Sequence, residues 1–238
     1  MDIQTVQQQI RSHLRANAHS ANPVLSASGY TGSPHMVYAV SAPICRAVLK
    51  RLVRDYKEAS SDEWLALMDA LIAGDSHEEK TMAGRLLGYV PRVLRELEPE
   101  RVDRWLGALV GWEEIDALCQ SNFSADILLS RWSVWRSFLL ALAQDENLNK
   151  RRASLVLLVR ATSQSSDVRL HQLAYQNIET LTEEKDILIT KAVSWLLRSM
   201  ADTEPEAVRA YIDTCEVTLP SIAVRETRKK LLIGKKNS

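Results

Sequence analysis

Apolar residues recur at helical spacing along almost the whole chain, and polar clusters cut the pattern into segments. Ile3, Val6, Ile10 and Leu14 mark a first amphipathic helix over Asp2–Leu14. The stretch from Ala18 to His35 is broken by Asn22-Pro23, Gly29, Gly32 and Ser33-Pro34, leaving room for one short helix around Val24–Tyr30. Ser41 as a cap and Pro43 in the first turn open a helix that runs to about Tyr56 and is basic on one side through Arg46, Lys50, Arg51 and Arg54. Ser60–Glu63 starts another, to about Ala73. After the turn Gly74-Asp75-Ser76, Glu78–Val90 reads as helix until Pro91 stops or kinks it. Leu97–Pro99 is a break, Glu100–Val110 a further helix, and Gly111 punctuates before Trp112–Cys119. Beyond Asn122 the helices are Ser124–Leu142, Leu148–Ala161, Ser165–Leu181, Lys185–Met200, Pro205–Cys215 and Pro220–Leu232. Alternating strand patterns and Asn-Gly or Asp-Gly hairpin turns are missing, so the chain reads as all-α with short loops and antiparallel neighbours.

A longer period overlies the helical one. Arg152 lies 40 residues after Trp112, and Trp195 lies 43 after Arg152, within the range of HEAT and armadillo repeats. The predicted fold is a right-handed α-solenoid of HEAT-like or armadillo-like helical pairs, one domain over residues 1–233, with Gly234–Ser238 as a frayed basic tail. Elements one repeat apart stack on the same face. Trp112, Asp116, Arg152 and Trp195 are therefore expected to share one concave surface.

Composition narrows the partners. The 238 residues are 46% hydrophobic, enough for a sizeable core, and 30 Lys plus Arg balance 30 Asp plus Glu. A globally basic coat is excluded, but a local basic groove is not, because a partner feels the local field. Cys45, Cys119 and Cys215 lie far apart with neither a disulfide framework nor zinc spacing, which favours a reducing interior. The five histidines show no metal-ligand spacing, no phosphate-binding or dinucleotide glycine motif is present, and no stretch is apolar enough to span a bilayer. Chemistry by a carboxylate without metal or cofactor, or no chemistry, is what these absences leave.

Three places carry candidate chemistry, each with an ordinary alternative. Asp116 sits one turn after Trp112, so both project from one face while Glu113 turns elsewhere; the alternative is a surface carboxylate making a routine helix contact. Lys150, Arg151 and Arg152 crowd a helix start, where cations oppose the helix dipole and call for an anion. Arg152 fits a phosphate bidentately, or else belongs to a solvated cluster. Lys191, Trp195 and Arg198 share one side of a helix, a platform for sugar, base or backbone unless Trp195 is core. Trp64, Trp105, Trp132 and Trp135 read as core. Arg225, Arg228, Lys229 and Lys230 extend a basic groove or solvate the last helix.

In order along the chain, Trp112-x3-Asp116, Arg152-Ala153 opening an apolar helix, Lys191-Ala-Val-Ser-Trp195-Leu-Leu-Arg198, Pro205-Glu-Ala-Val208 and the Pro220–Leu232 segment resemble the AlkD-type DNA alkylation repair proteins, built from HEAT-like repeats. Gly29-Tyr30 and Tyr38-Ala-Val-Ser-Ala-Pro43 resemble the N-terminal segment of that family, whose usual glycine is Ala39 here. The resemblance covers nearly the whole chain. It implies a DNA glycosylase that hydrolyses the N-glycosidic bond of N3- or N7-alkylated purines such as 3-methyladenine and 7-methylguanine in duplex DNA, in base excision repair. By it, Asp116 stabilises the cationic sugar and positions water, and Tyr30, Trp112 and Trp195 line the lesion. Arg152 holds a phosphate, with Lys191, Arg198 and Arg225 as further DNA contacts. No metal or cofactor is implied. A monomer is expected, located in the cytoplasm and on the nucleoid when bound to DNA. Two other functions fit the same residues: an inactive HEAT-like module that binds damaged or branched DNA, and a protein-binding helical scaffold.

Overall fold

The computed structural model describes residues 1–19, 24–25 and 32–233, and among these the chain is all-α, with 14 α-helices and one pair of two-residue strands. It divides into two compact units, Met1–Asn122 and Phe123–Ser238. Each unit is described by itself, and residues 234–238, read from sequence as a frayed tail, lie outside the described residues.

The first unit contains α1 (Ile3–Ala16), β1 (Val24–Leu25), β2 (Met36–Val37), α2 (Ala42–Asp55), α3 (Ser61–Ile72), α4 (His77–Leu86), α5 (Pro91–Glu96), α6 (Pro99–Ala108) and α7 (Trp112–Cys119). Antiparallel pairing of β1 with β2 sets Val24 opposite Val37 and Leu25 opposite Met36. Val24 and Leu25 are thus strand, where the sequence pattern suggested the start of a short helix; the cross-strand partner supplies what local pattern cannot see. Pro91 neither kinks nor merely stops the preceding helix. Leu87–Tyr89 tightens into a 3-10 turn and Pro91 opens α5 from its first position, where its missing N–H costs nothing.

Helix α4 is the hub of this unit, packing against α1, α2, α3, α7 and β2. Ser76 caps it through a reciprocal box with Glu79, and Ser60 with Glu63 does the same for α3, each worth about 1 kcal/mol. His77, Glu78, Glu79, Lys80 and Thr81 follow in succession and all are buried. Five polar residues in a row are tolerated because their charged ends are satisfied by different neighbours. Glu79 accepts from Arg11 and Gln7 of α1, at 2.7 and 3.2 Å. Lys80 donates to the Ile72 carbonyl at 2.6 Å and to that of Ala108 at 3.5 Å, closing the ends of α3 and α6. Glu78 accepts from the backbone amides of Tyr38 and Val40, at 3.1 and 3.3 Å. Between those amides Ala39 has a φ of 57°, the left-handed region that glycine enters at least cost. The position where the resemblance expects glycine is therefore one whose backbone favours it.

The second unit holds α8 (Ala125–Ser130), α9 (Trp132–Ala143), α10 (Leu148–Gln164), α11 (Val168–Thr180), α12 (Ile187–Met200), α13 (Pro205–Cys215) and α14 (Ser221–Ile233). Alternate helices pack in a row, α8 on α10, α10 on α12, α12 on α14, while α9 packs on α11. Tyr175 and Tyr211 stack at 4.2 Å between α11 and α13. The helix read as Ser124–Leu142 is in fact two. The Ser130 hydroxyl donates back to the Ile127 carbonyl at 2.9 Å, and Arg131 leaves helical geometry with φ −131° and ψ 47°. Trp64, Trp105 and Trp135 are core as expected. Trp132 is not; it is half-buried, with the Arg169 guanidinium 5.7 Å above its ring.

Candidate active site

Helix α7 carries Trp112 at its first position and Asp116 one turn later. Trp112 is half-buried and Asp116 is 8% exposed. The carboxylate is therefore withdrawn from bulk water, where a charge acts more strongly on its surroundings. Ile115, Leu118 and Cys119 of the same helix are buried in the core.

The start of α7 is built without an ordinary cap. Gly111 precedes it at φ 85° with no side-chain capping bond. Glu114, in the first turn, reaches back past Gly111 and accepts from the Val110 amide at 2.9 Å, tying the incoming chain to the helix. The same fully buried carboxylate accepts from the Ser33 hydroxyl at 2.6 Å and bonds His35 Nδ1 at 2.9 Å and His77 Nδ1 at 3.1 Å. The other nitrogen of His77 lies 3.3 Å from Glu113, which also faces Arg85 at 3.7 Å.

Charge in this cluster is mutually supported. Burial opposes protonation of His77, but the hydrogen bonds to Glu113 and Glu114 outweigh it and push its pKa up to about 9. The same bond holds Glu113 below the usual carboxylate range. Burial would raise Glu114, yet His77, Ser33, Val110 and His35 together bring it below that range as well.

On the sequence His35 and His77 look isolated, Glu113 turns away from the site and Glu114 carries no distinguishing mark; in the fold both histidines bond Glu114, and His77 also faces Glu113. The acidic pair directly after Gly111 was the available signal, since carboxylates in a first turn seek free amides and cations. Among the described residues no group of three or more His, Cys, Asp or Glu is arranged to hold a metal ion.

The remaining candidates belong to the second unit. Arg152 is 4% exposed and donates from Nη1 to the Leu188 carbonyl in the first turn of α12, at 2.5 Å. The anions that its neighbours call for are partly internal: Lys150 lies 3.4 Å from Asp145 and Arg151 2.8 Å from Glu184. Along α12, Lys191 is exposed, Trp195 half-buried and Arg198 half-buried, at intervals that place them on one side of the helix, as expected from sequence. Arg198 bonds the Ser194 hydroxyl and reaches Glu226 at 3.2 Å, tying α12 to α14. Burial lowers its pKa, against the pull of Glu226. Arg225 is exposed on α14, 3.5 Å from Glu226. Tyr30 lies outside the described residues.

A family model described as "DNA alkylation repair enzyme" matches residues 10–231. No curated protein matches the chain. A solved structure described as "Predicted DNA alkylation repair enzyme from Enterococcus faecalis" aligns with a TM-score of 0.62 at 17% identity, covering 96% of each chain. At that identity the likeness is one of fold.

Proposed function

The chain belongs to the DNA alkylation repair enzyme family, and on that premise we propose that it is a glycosylase releasing N3- and N7-alkylated purines from duplex DNA. The observation that carries this reading is Asp116, a carboxylate withdrawn from solvent on the same helix face as the half-buried Trp112.

Alkylation makes the base cationic and a good leaving group. The C1′–N bond breaks with its electron pair going to the base, and positive charge develops on the sugar. A fixed carboxylate stabilises that charge more than it stabilises the neutral ground-state sugar, which is the condition for raising the rate. Asp116 then accepts a proton from the water that attacks C1′. In the first unit Trp112 packs against the deoxyribose; in the second, Lys191, Trp195, Arg198 and Arg225 are the DNA contacts, whereas Arg152 is buried against the Leu188 carbonyl and supports α12. Placing a negative charge where phosphates lie weakens binding, and its retention makes sense as a contribution to the chemical step.

The test is release of 3-methyladenine and 7-methylguanine from methylated duplex DNA by the native protein and by Asp116→Asn. Loss of release by about 10²–10³-fold with duplex affinity kept is the expected result. Tight binding without release by the native protein would instead identify a binding module, and no salt-sensitive DNA binding a protein scaffold.

A further inference from the structure

The polar cluster under the first turn of α7 does more than fill space. Helices α4 and α7 touch at two levels. At one, the Gly84 backbone abuts Ala117 and Leu118 so closely that a Cβ there would lie 2.6 Å from the Leu118 nitrogen. Asn122 locks that level, donating to the carbonyls of Gly84 and Leu118 at 2.9 and 2.7 Å. At the other level the contact runs through charge, with His77 between Glu113 and Glu114.

Those two carboxylates immediately follow Trp112 in sequence. Any displacement of them turns the first helical turn, and with it Trp112 and Asp116. The segment before β2 is tied into the same point. Ser33 and His35 bond Glu114, Gly32 at φ 70° packs within reach of the Gly111 Cα, and Met36 bridges to Ser76 beside His77.

We infer that His77 is a positioning residue for the reaction: its imidazolium, bridging Glu113 and Glu114, sets the orientation of Trp112 and Asp116. The catalytic part of this inference rests on the glycosylase reading, whereas the orienting part does not. The charged and titratable groups of the His77 cluster are Glu113 and Glu114 of α7, Arg85 and Lys80 of α4, and His35 before β2. Arg11 of α1 is turned to Glu79, Asp69 of α3 to Arg101 and Trp105, and the Cys45 thiol of α2 feels chiefly burial and Glu78. Of these groups, Glu113 and Glu114 are the two carboxylates bonded to the ring, and Glu113 is the less buried.

The experiment reads the orientation directly. Trp112 fluorescence, taken as the difference between the protein and its Trp112→Phe variant, is titrated from pH 6 to roughly pH 10.5, a range spanning the His77 pKa of about 9. In parallel, single-turnover base release is measured over the same range. Both are expected to change with a midpoint near pH 9. In Glu113→Gln that midpoint should fall by about one unit or more, since one of the two opposing charges is gone. His77→Gln should abolish the limb and slow base release about ten- to a hundredfold, with duplex affinity kept within about twofold. If His77→Gln does not fold, Glu113→Gln carries the test alone. A fluorescence limb that is absent, or that sits at the same pH in Glu113→Gln as in the native protein, overturns the inference. A limb that moves in a protein that releases no base overturns the glycosylase reading and leaves the orienting role standing.

Discussion

Gly84 of α4 and Leu118 of α7 approach so closely that glycine is the residue the contact demands: an added Cβ would meet the Leu118 nitrogen at 2.6 Å and its Cα at 2.7 Å. Both contacts are with backbone, which cannot swing aside. Gly84→Ala improves intrinsic helix propensity by about 1 kcal/mol, yet here it should destabilise the protein by a net of about 1–3 kcal/mol through overpacking. Denaturant titration measures the loss. Base release should fall as well, because the displaced element is the one carrying Asp116.

Ala39 presents the opposite case. Its positive φ costs a β-carbon-bearing residue about 1–2 kcal/mol that glycine avoids, offset in part by the greater freedom of glycine in the unfolded chain. Ala39→Gly is expected to stabilise by about 1 kcal/mol, a rise of roughly 2–4 °C in Tm. Glu78→Gln, which weakens the acceptor for the amides on either side of Ala39, should lower Tm.

Stability should depend on pH through His77. Its folded pKa, about 9, is raised above the ordinary 6.5. Its contribution is therefore full below about pH 6.5 and lost as pH rises through about 9. Glu113 and Glu114 are lowered, so their share is present above about pH 4.5 and lost in acid. Unfolding free energy should accordingly be greatest between those limits and decline on the alkaline side. In His77→Gln the alkaline decline should flatten, as thermal melts across pH 6–10 would reveal.

Trp195 and Lys191 test the second unit under the proposed function. Removing a half-buried indole that stacks on a nucleotide costs about 1–3 kcal/mol of binding, so Trp195→Ala should weaken duplex affinity by roughly five- to a hundredfold. Lys191 is exposed and under the proposed function neutralises one phosphate. Lys191→Ala should reduce the slope of log K against log salt by about one. Fluorescence anisotropy at several salt concentrations separates the two effects.

Periodicity alone established the helical class and most helix positions, because the apolar stripe of a helix is written in local spacing. Pro205–Cys215 emerges with the limits read from sequence, and Trp112–Cys119 likewise. The split at Arg131 and the pairing of Val24 with Val37 were invisible, since one depends on a hydroxyl bonding back and the other on a partner strand distant in sequence. The candidate residues on α7 and α12 were legible from their one-turn intervals. What tertiary structure alone decided is the company they keep: His77 joined to Glu114 across 37 positions, and Arg152 buried against the Leu188 carbonyl. Sequence spacing records which side chains share a helix face, whereas charge pairing across helices arises only when packing brings their backbones together and strips away the water between them.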